Sequence, residues 1–285
     1  MIYDQKLSIS LLLNGTRRWY ISTRLTSPPT DDAYLTDCLD ATLCGLADLI
    51  LLLTGHGIHR IFLPTYSWHQ SPENPNPTRP PEVHKFLIEG IKSLVTHPRL
   101  VDAYRESGTS PRFYGDLGRS APWIRKLVLE QPNFTVDSPR HYVHYGVDSD
   151  RSPHGHGLEI AYEFGKENGR APTREDMIGA YYGDRGVRPL DILVGAGRFY
   201  SRMGVPYLLD GEENIYATAV TPLVMTEEAL RKILYDFLFM RSDRARDYRH
   251  TSQDGIDRLR EYETSNRSTV MGLSRMSDGL VYPEL

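Results

Sequence analysis

Two adjacent fixed cations follow a glycine turn at the end of an apolar run, in Leu13-Asn14-Gly15-Thr16-Arg17-Arg18-Trp19. Such an arrangement traps anions: the guanidinium forks of Arg17 and Arg18 match phosphate or diphosphate oxygens, and the exposed N–H groups of an Asn-Gly turn add partial positive charge. The alternative is a solvated arginine pair beside a capping Trp19. A second glycine turn, Asp191-Ile192-Leu193-Val194-Gly195-Ala196-Gly197-Arg198-Phe199, ends another apolar run in an arginine. Small residues there let a ligand approach the backbone closely, although a tight connection with a surface arginine would look the same. Brought together, Gly15, Thr16, Arg17, Arg18 and Arg198 would form a diphosphate clamp.

Other residues with chemical capacity are Asp116, in Arg112-Phe113-Tyr114-Gly115-Asp116, and a set of aromatics that includes Trp19, Tyr34, Tyr66, Trp68, Tyr181 and Tyr182. Asp116 can serve as base, metal ligand, helix cap or ion-pair partner. Most of the aromatics are expected in the core. Tyr34, Tyr66 and Trp68 are the candidates for a pocket wall whose ring faces stabilise a carbocation. His154-Gly155-His156 has no third ligand at suitable spacing and lies beside Ser152, Pro153 and Gly157, which read as a loop. Glu227 and Glu228 follow Thr226 as helix-capping chemistry.

These residues need a scaffold, and the pattern supplies one. Apolar runs at 7–13, 58–63, 111–115, 141–147, 191–194 and 215–220 read as strands. Helical stretches are expected at about 30–54, 82–96, near Val101, 122–129, 158–168, 173–182, 227–241 and 254–262, with a Pro-rich lid over 64–81 and an irregular tail. Alternation of strand and helix predicts an α/β fold: a single domain over 1–285 with a mostly parallel central sheet flanked by helices, and a peripheral C-terminal helix and tail over 242–285. In such a sheet the turns after Leu13, Leu63, Tyr114 and Val194 gather at one rim, where ligands bind.

Composition narrows the partners. With 285 residues, 40% hydrophobic and 25% charged, the chain can bury a core without staples. A net charge of −4 disfavours a broad nucleic-acid footprint. Cys38 and Cys44, six apart on a helix-like segment, face different directions and suit neither a disulfide nor a shared metal. The start of the chain does not read as a secretion signal, and the apolar stretch 46–53 is far short of the roughly 20 residues of a membrane helix. The expectation is a cytoplasmic protein with no stable membrane span. The chain contains no Walker loop, nucleophile elbow or aspartate-rich metal helix.

Taken in order, these motifs resemble the cis-prenyltransferase superfamily, whose familiar members are the undecaprenyl diphosphate synthases. That family has an Asp-Gly-Asn-Gly-Arg-Trp turn after its first strand, an aromatic-Ser loop, an Arg-x-x-Gly-Asp strand and an Asp-Leu-x-Ile strand. Asn14 to Trp19, Tyr66-Ser67, Arg112 to Asp116 and Asp191 to Val194 take those places. The chain is more closely similar to the group containing tuberculosinol synthase (tuberculosinyl adenosine transferase) and kolavelool synthase. That likeness adds Pro172-Thr173-Arg174, Gly179-Ala180-Tyr181-Tyr182-Gly183, Gly197-Arg198-Phe199, and Met225-Thr226-Glu227 through Asp236.

The resemblance implies an enzyme that ionises an allylic diterpenyl diphosphate, bicyclic and supplied by a separate class II diterpene cyclase, and quenches the cation with water. It implies a homodimer, and Mg²⁺ bound largely through the substrate diphosphate, with Asn14 or Asp116 as possible protein ligands. Transfer of the prenyl group to adenosine is the alternative acceptor chemistry, and a noncatalytic partner subunit is the alternative of another class. Two departures stand out. Gly195 and Phe199 replace the Arg and Glu that elongating relatives use, which points away from chain elongation. Asn14 stands where the family has Asp, and an amide is no general base.

Overall fold

The computed structural model describes residues 6–27, 29, 33–66, 81–115, 136, 138–147, 153–197, 204–240, 252–267, 274–277 and 280–283. They form two compact units, Met1–Met225 and Thr226–Leu285.

The first unit is built on six strands: β1 (Ser8–Leu11), β2 (Arg60–Tyr66), β3 (Thr109–Tyr114), β4 (His141–Val147), β5 (Ile192–Ala196) and β6 (Asn214–Thr218). All five pairings are parallel, in the order β3-β4-β2-β1-β5-β6. Both faces must then be covered, which is why β1 is buried at every residue. On one face Tyr104 of α4 (Pro98–Ser107) meets Tyr145 of β4 through their hydroxyls. On the other, Tyr181 and Tyr182 of α6 (Arg174–Tyr182) pack with Phe62, Tyr114, Leu12 and Leu193 in one apolar cluster.

Parallel strands put all their carboxyl ends on one rim, as expected. The chain leaves β1 towards β2 on one side, whereas β5 and β6 lie on the other. The order therefore reverses between β1 and β5, the place beyond the strand ends where sheets of this kind bind ligands.

Helix α2 (Tyr34–Gly55) buries Leu35, Cys38, Leu43, Leu46, Ala47, Leu49, Ile50, Leu53 and Thr54. Its 22 residues are long and apolar enough to cross a membrane by length and composition, more than the 46–53 stretch suggested. Its buried stripe and its contacts with α4 and with α3 (Pro81–Ser93) make it a core helix of the sheet.

Several expectations are corrected. A nine-residue helix, α1 (Thr16–Arg24), occupies a segment expected to be loop. β2 continues through Pro64 to Tyr66 instead of ending at Leu63. Proline is tolerated there because pairing with β1 stops at Phe62, so no neighbour on that side needs its missing N–H. α5 (Pro153–Asn168) starts five residues early, placing His154 and His156 on a helix and not in a loop. β6 ends at Thr218, two residues before the expected end. The expected helix 122–129 and the core of the lid, 67–80, lie outside the described residues.

In the second unit, α7 (Glu227–Tyr235) is capped by the Thr226 hydroxyl, which accepts from Ala229 N at 3.2 Å, so the capping expectation holds. A wider turn of helix over Asp236–Met240 follows it. α8 (Gln253–Ser265) is capped by Ser252, and the tail holds an antiparallel pair, β7 (Ser274–Ser277) with β8 (Leu280–Pro283), instead of being irregular.

Candidate active site at the carboxyl rim

β1 and β5 deliver their following turns side by side: Leu11 pairs with Val194, and Leu12 N donates to Val194 O at 2.9 Å. Beyond Leu13 the chain reverses at Gly15, whose φ of 87° and ψ of 8° lie in the left-handed region that glycine adopts freely. Gly15 is also the N-cap of α1, and Trp19 N donates to its carbonyl at 2.8 Å. A glycine cap has no side-chain acceptor, and the first turn of α1 holds no acidic residue. An α-helix supplies no carbonyl of its own to its first N–H groups, and here neither a cap side chain nor an acidic residue of the first turn meets the positive end of the dipole.

The side chains reinforce that end. Arg18 folds back over the turn: a Cβ on Gly15 would lie 3.3 Å from its Nη2 and 3.9 Å from its Cζ. Arg17 is half-buried and its charge is felt at Cys38 of α2, one helical turn beyond Tyr34. Burial raises the Cys38 thiol above its ordinary value, and Arg17 acts in the opposite direction. Tyr34, at the start of α2, stacks on Tyr20 of α1 with centroids 6.4 Å apart. The helix start and the Arg17 and Arg18 side chains thus lie within one short segment after β1, the kind of place where an anion binds.

Tyr66 ends β2 at the same rim and is 5% exposed. Gly195 is buried within β5, and Gly197, at φ 72°, donates to Thr218 O at 2.8 Å. Trp68, Asp116 and Arg198 lie outside the described residues, so the rim is described at Asn14 to Arg18, Tyr34, Tyr66 and Gly195 to Gly197.

Other sequence candidates are structural. Tyr181 and Tyr182 are core residues, 5% and 3% exposed. Thr173 forms a capping box with Asp176, and Arg174 donates to Tyr207 O at 2.9 and 3.0 Å and to Asp210 at 3.1 Å, pinning a loop. Asp191 ties the amino ends of β5 and β1 by accepting from Ser8 N at 2.7 Å and from Ser8 Oγ at 2.9 Å.

Sequence reading missed a buried polar group at the other end of the sheet. Arg60, the first residue of β2, donates from Nη1 to Asp184 at 2.8 Å and to His144 Nε2 at 3.1 Å, and lies over the Tyr142 ring at 4.6 Å. His144 is fully buried and stacked on Phe62 at 4.7 Å. Burial first, and Arg60 second, push its pKa down to about 3. Because Nε2 accepts from arginine, the neutral ring carries its proton on Nδ1. A charge inside a buried strand run was the available signal, but its partner stands 124 positions away.

Among the described residues the rim offers Mg²⁺ one amide oxygen, at Asn14, and no carboxylate in the first turn of α1. With Asp116 outside the described residues, this donor set alone does not hold Mg²⁺, and an ion here would be held largely by diphosphate oxygens. The rim itself fits an anion.

A six-stranded parallel sheet with this rim defines the class: the chain has the cis-prenyltransferase fold. Lavandulyl diphosphate synthase from Lavandula x intermedia, solved in complex with dimethylallyl diphosphate, superposes with a TM-score of 0.63 at 13% identity, covering 85% of this chain and 97% of that one. A probable undecaprenyl diphosphate synthase from Campylobacter jejuni gives 0.56 at 13% identity with the same coverages. In sequence the chain is similar to tuberculosinyl adenosine transferase of Mycobacterium tuberculosis, 27% identical over 278 residues, 95% of this chain and 88% of the relative. It is also similar to (+)-kolavelool synthase of Herpetosiphon aurantiacus, 25% identical over 236 residues, 82% and 76% of the two chains. No protein-family model matches it.

Proposed function

We propose that this chain is a diterpene synthase that ionises an allylic, bicyclic diterpenyl diphosphate of kolavenyl or tuberculosinyl type and quenches the cation with water to give a diterpene alcohol. One observation carries the reading: α1, with Arg17 and Arg18 in its first turn and a glycine cap that has no side-chain acceptor, starts in the turn that follows β1, and β1 pairs with β5. In ionisation the allylic C–O bond breaks and its electron pair leaves on the diphosphate. Negative charge on that group grows as the bond lengthens, so the N–H groups of residues 15–18 and the two guanidiniums stabilise the transition state more than the substrate.

Tyr34, Tyr66 and Trp68 form the cation-facing wall in this proposal, and Arg198 completes the clamp. Asn14 orients water or diphosphate, and Asp116 is the carboxylate left to act as base. The oxygen of water bonds to the cation, and its surplus proton passes to that base or to solvent. Mg²⁺ accompanies the substrate diphosphate, and no step is assigned to it. The proposed enzyme is a cytoplasmic homodimer, working after a class II cyclase.

Incubation of the purified chain with geranylgeranyl, kolavenyl and tuberculosinyl diphosphates tests this. A diterpene alcohol and free diphosphate from one of the bicyclic substrates are expected; all three substrates recovered intact would sink the proposal. Diphosphate binding without turnover would instead indicate a noncatalytic subunit. A second reading, transfer to adenosine, is favoured by the name of the 27%-identical relative. A product heavier by one nucleoside when adenosine is added separates the two.

Asn14→Asp supplies a further expectation. A carboxylate at this exposed position introduces a hard oxygen ligand beside the clamp, so Mg²⁺ dependence should steepen and the ratio of alcohol to other products should change. Chromatography of products across a Mg²⁺ titration measures both; unchanged profiles place Asn14 outside the site.

A further inference from the structure

Away from the rim, α2 presents Asp40 and Cys44 one helical turn apart on the same side. His97, the residue that caps α4, reaches them: its Nε2 lies 3.1 Å from Asp40 Oδ1. One ligand atom from each of Asp40, Cys44 and His97 lies within 4.8 Å of the others. His97 and Cys44 are half-buried and Asp40 is exposed, so the cluster opens to solvent on one side. We propose that Asp40, Cys44 and His97 form a Zn²⁺ site that clips α2 to the start of α4.

The donor chemistry selects the metal. One thiolate, one imidazole and one carboxylate are the ligand types zinc takes, and three protein ligands leave its fourth, tetrahedral position to water. Two anionic ligands neutralise the ion's charge. Zinc–ligand bond lengths of 2.0–2.3 Å put the donor atoms of a tetrahedral site about 3.3–3.6 Å apart. The His97–Asp40 pair already stands near that spacing, and the Cys44 sulfur lies within 4.8 Å of both. Asp48, a turn further along α2, is engaged by Arg99 at 2.7 Å and is not the fourth ligand.

Affinity follows from the surroundings. Ligating histidines usually donate their other ring N–H to an acceptor, and that partner strengthens binding about 10–100-fold. His97 Nδ1 is buried with no hydrogen-bond partner. The site is therefore weak and exchangeable, and metal uptake releases the Cys44 thiol proton.

The test titrates the full chain, stripped with chelator, first with Co²⁺ and then with Zn²⁺. One Co²⁺ per chain with a thiolate-to-cobalt charge-transfer band, bleached by Zn²⁺, is expected. Cys44→Ser should abolish the band, and His97→Ala should weaken binding at least about 10-fold. Zn²⁺ at about 100 times its half-saturating concentration should raise Tm by roughly 5 °C in the wild type and not in Cys44→Ser. No band, or a band that survives Cys44→Ser on the remaining Cys38, overturns the site, as does an equal Tm shift in both proteins. If Cys44→Ser fails to fold, Asp40→Asn at the exposed carboxylate decides: weakened Co²⁺ binding supports the site, and unchanged binding overturns it.

Discussion

Replacing Arg17 by alanine is expected to lower the rate of diphosphate release by about 10²–10³-fold, the loss typical of one pre-organised donor aimed at developing negative charge. Arg17 is half-buried in the first turn of α1, where no cap side chain and no first-turn carboxylate competes for its charge. Arg18 is exposed and lies over Gly15, so its alanine variant should lose less, about 10-fold. In the proposed site both groups face one diphosphate, so the double variant should lose less than the product of the two single losses. Arg17→Lys keeps the charge without the fork and should recover only part of the rate. The loss should appear in kcat more than in KM if the contact strengthens as the bond breaks. A Tm within a few degrees of wild type separates this from misfolding. Arg17→Ala retaining activity within threefold would move the chemistry away from β1.

Much of the candidate site is legible in sequence because its residues lie close together in the chain. The buried run before Asn14, the glycine and the adjacent arginines lie within a dozen residues, and the strand-helix alternation is enough to put β1 and β5 turns on one rim. The sheet confirms the parallel α/β expectation through direct pairing of Ile9, Ser10 and Leu11 with Ile192, Leu193 and Val194. What stayed hidden has physical reasons. α1 is short, begins at a glycine without a side-chain cap, has no acidic first turn, and includes the β-branched Ile21 and Thr23, so the usual start signals are missing. The missing cap and acidic turn are also what the proposed anion site draws on. Pro64 looked like a strand stop, yet the ladder with β1 had already ended. The cluster of Asp40, Cys44 and His97 joins one helix to a residue more than fifty positions later, and considering Cys38 with Cys44 alone pointed away from it.

The largest expected loss of stability comes from the polar group that short-range patterns could not reveal. Asp184→Ala would leave the Arg60 guanidinium, 8% exposed, without its carboxylate at the amino end of an interior strand. Uncompensated buried charges of this kind cost about 3–5 kcal/mol, and because Asp184 itself is 25% exposed the lower figure applies. Tm should fall by roughly 6–12 °C, whereas replacing the pair together, Arg60→Met with Asp184→Leu, should cost far less because no charge is stranded.

The same group makes stability pH-dependent in a definite direction. Burial pushes the Asp184 carboxyl up, but the hydrogen bonds from Arg60 and Gly186 N hold it below its ordinary value overall. Its contribution is present above the unfolded pKa and is lost as pH falls through the folded one. His144 acts over a higher range. Its native pKa is about 3, so between roughly 6.5 and 3 the unfolded chain carries a proton that the native chain refuses. Stability should therefore drop by up to about 1.4 kcal/mol per pH unit as the solution is acidified through that window. His144→Gln keeps an acceptor for Arg60 and removes the titration. Urea unfolding from pH 7 to 4 should show the wild type losing one proton's worth of slope more than this variant; identical slopes would mean that His144 is protonated in the native core, with Asp184 balancing two cations instead of one.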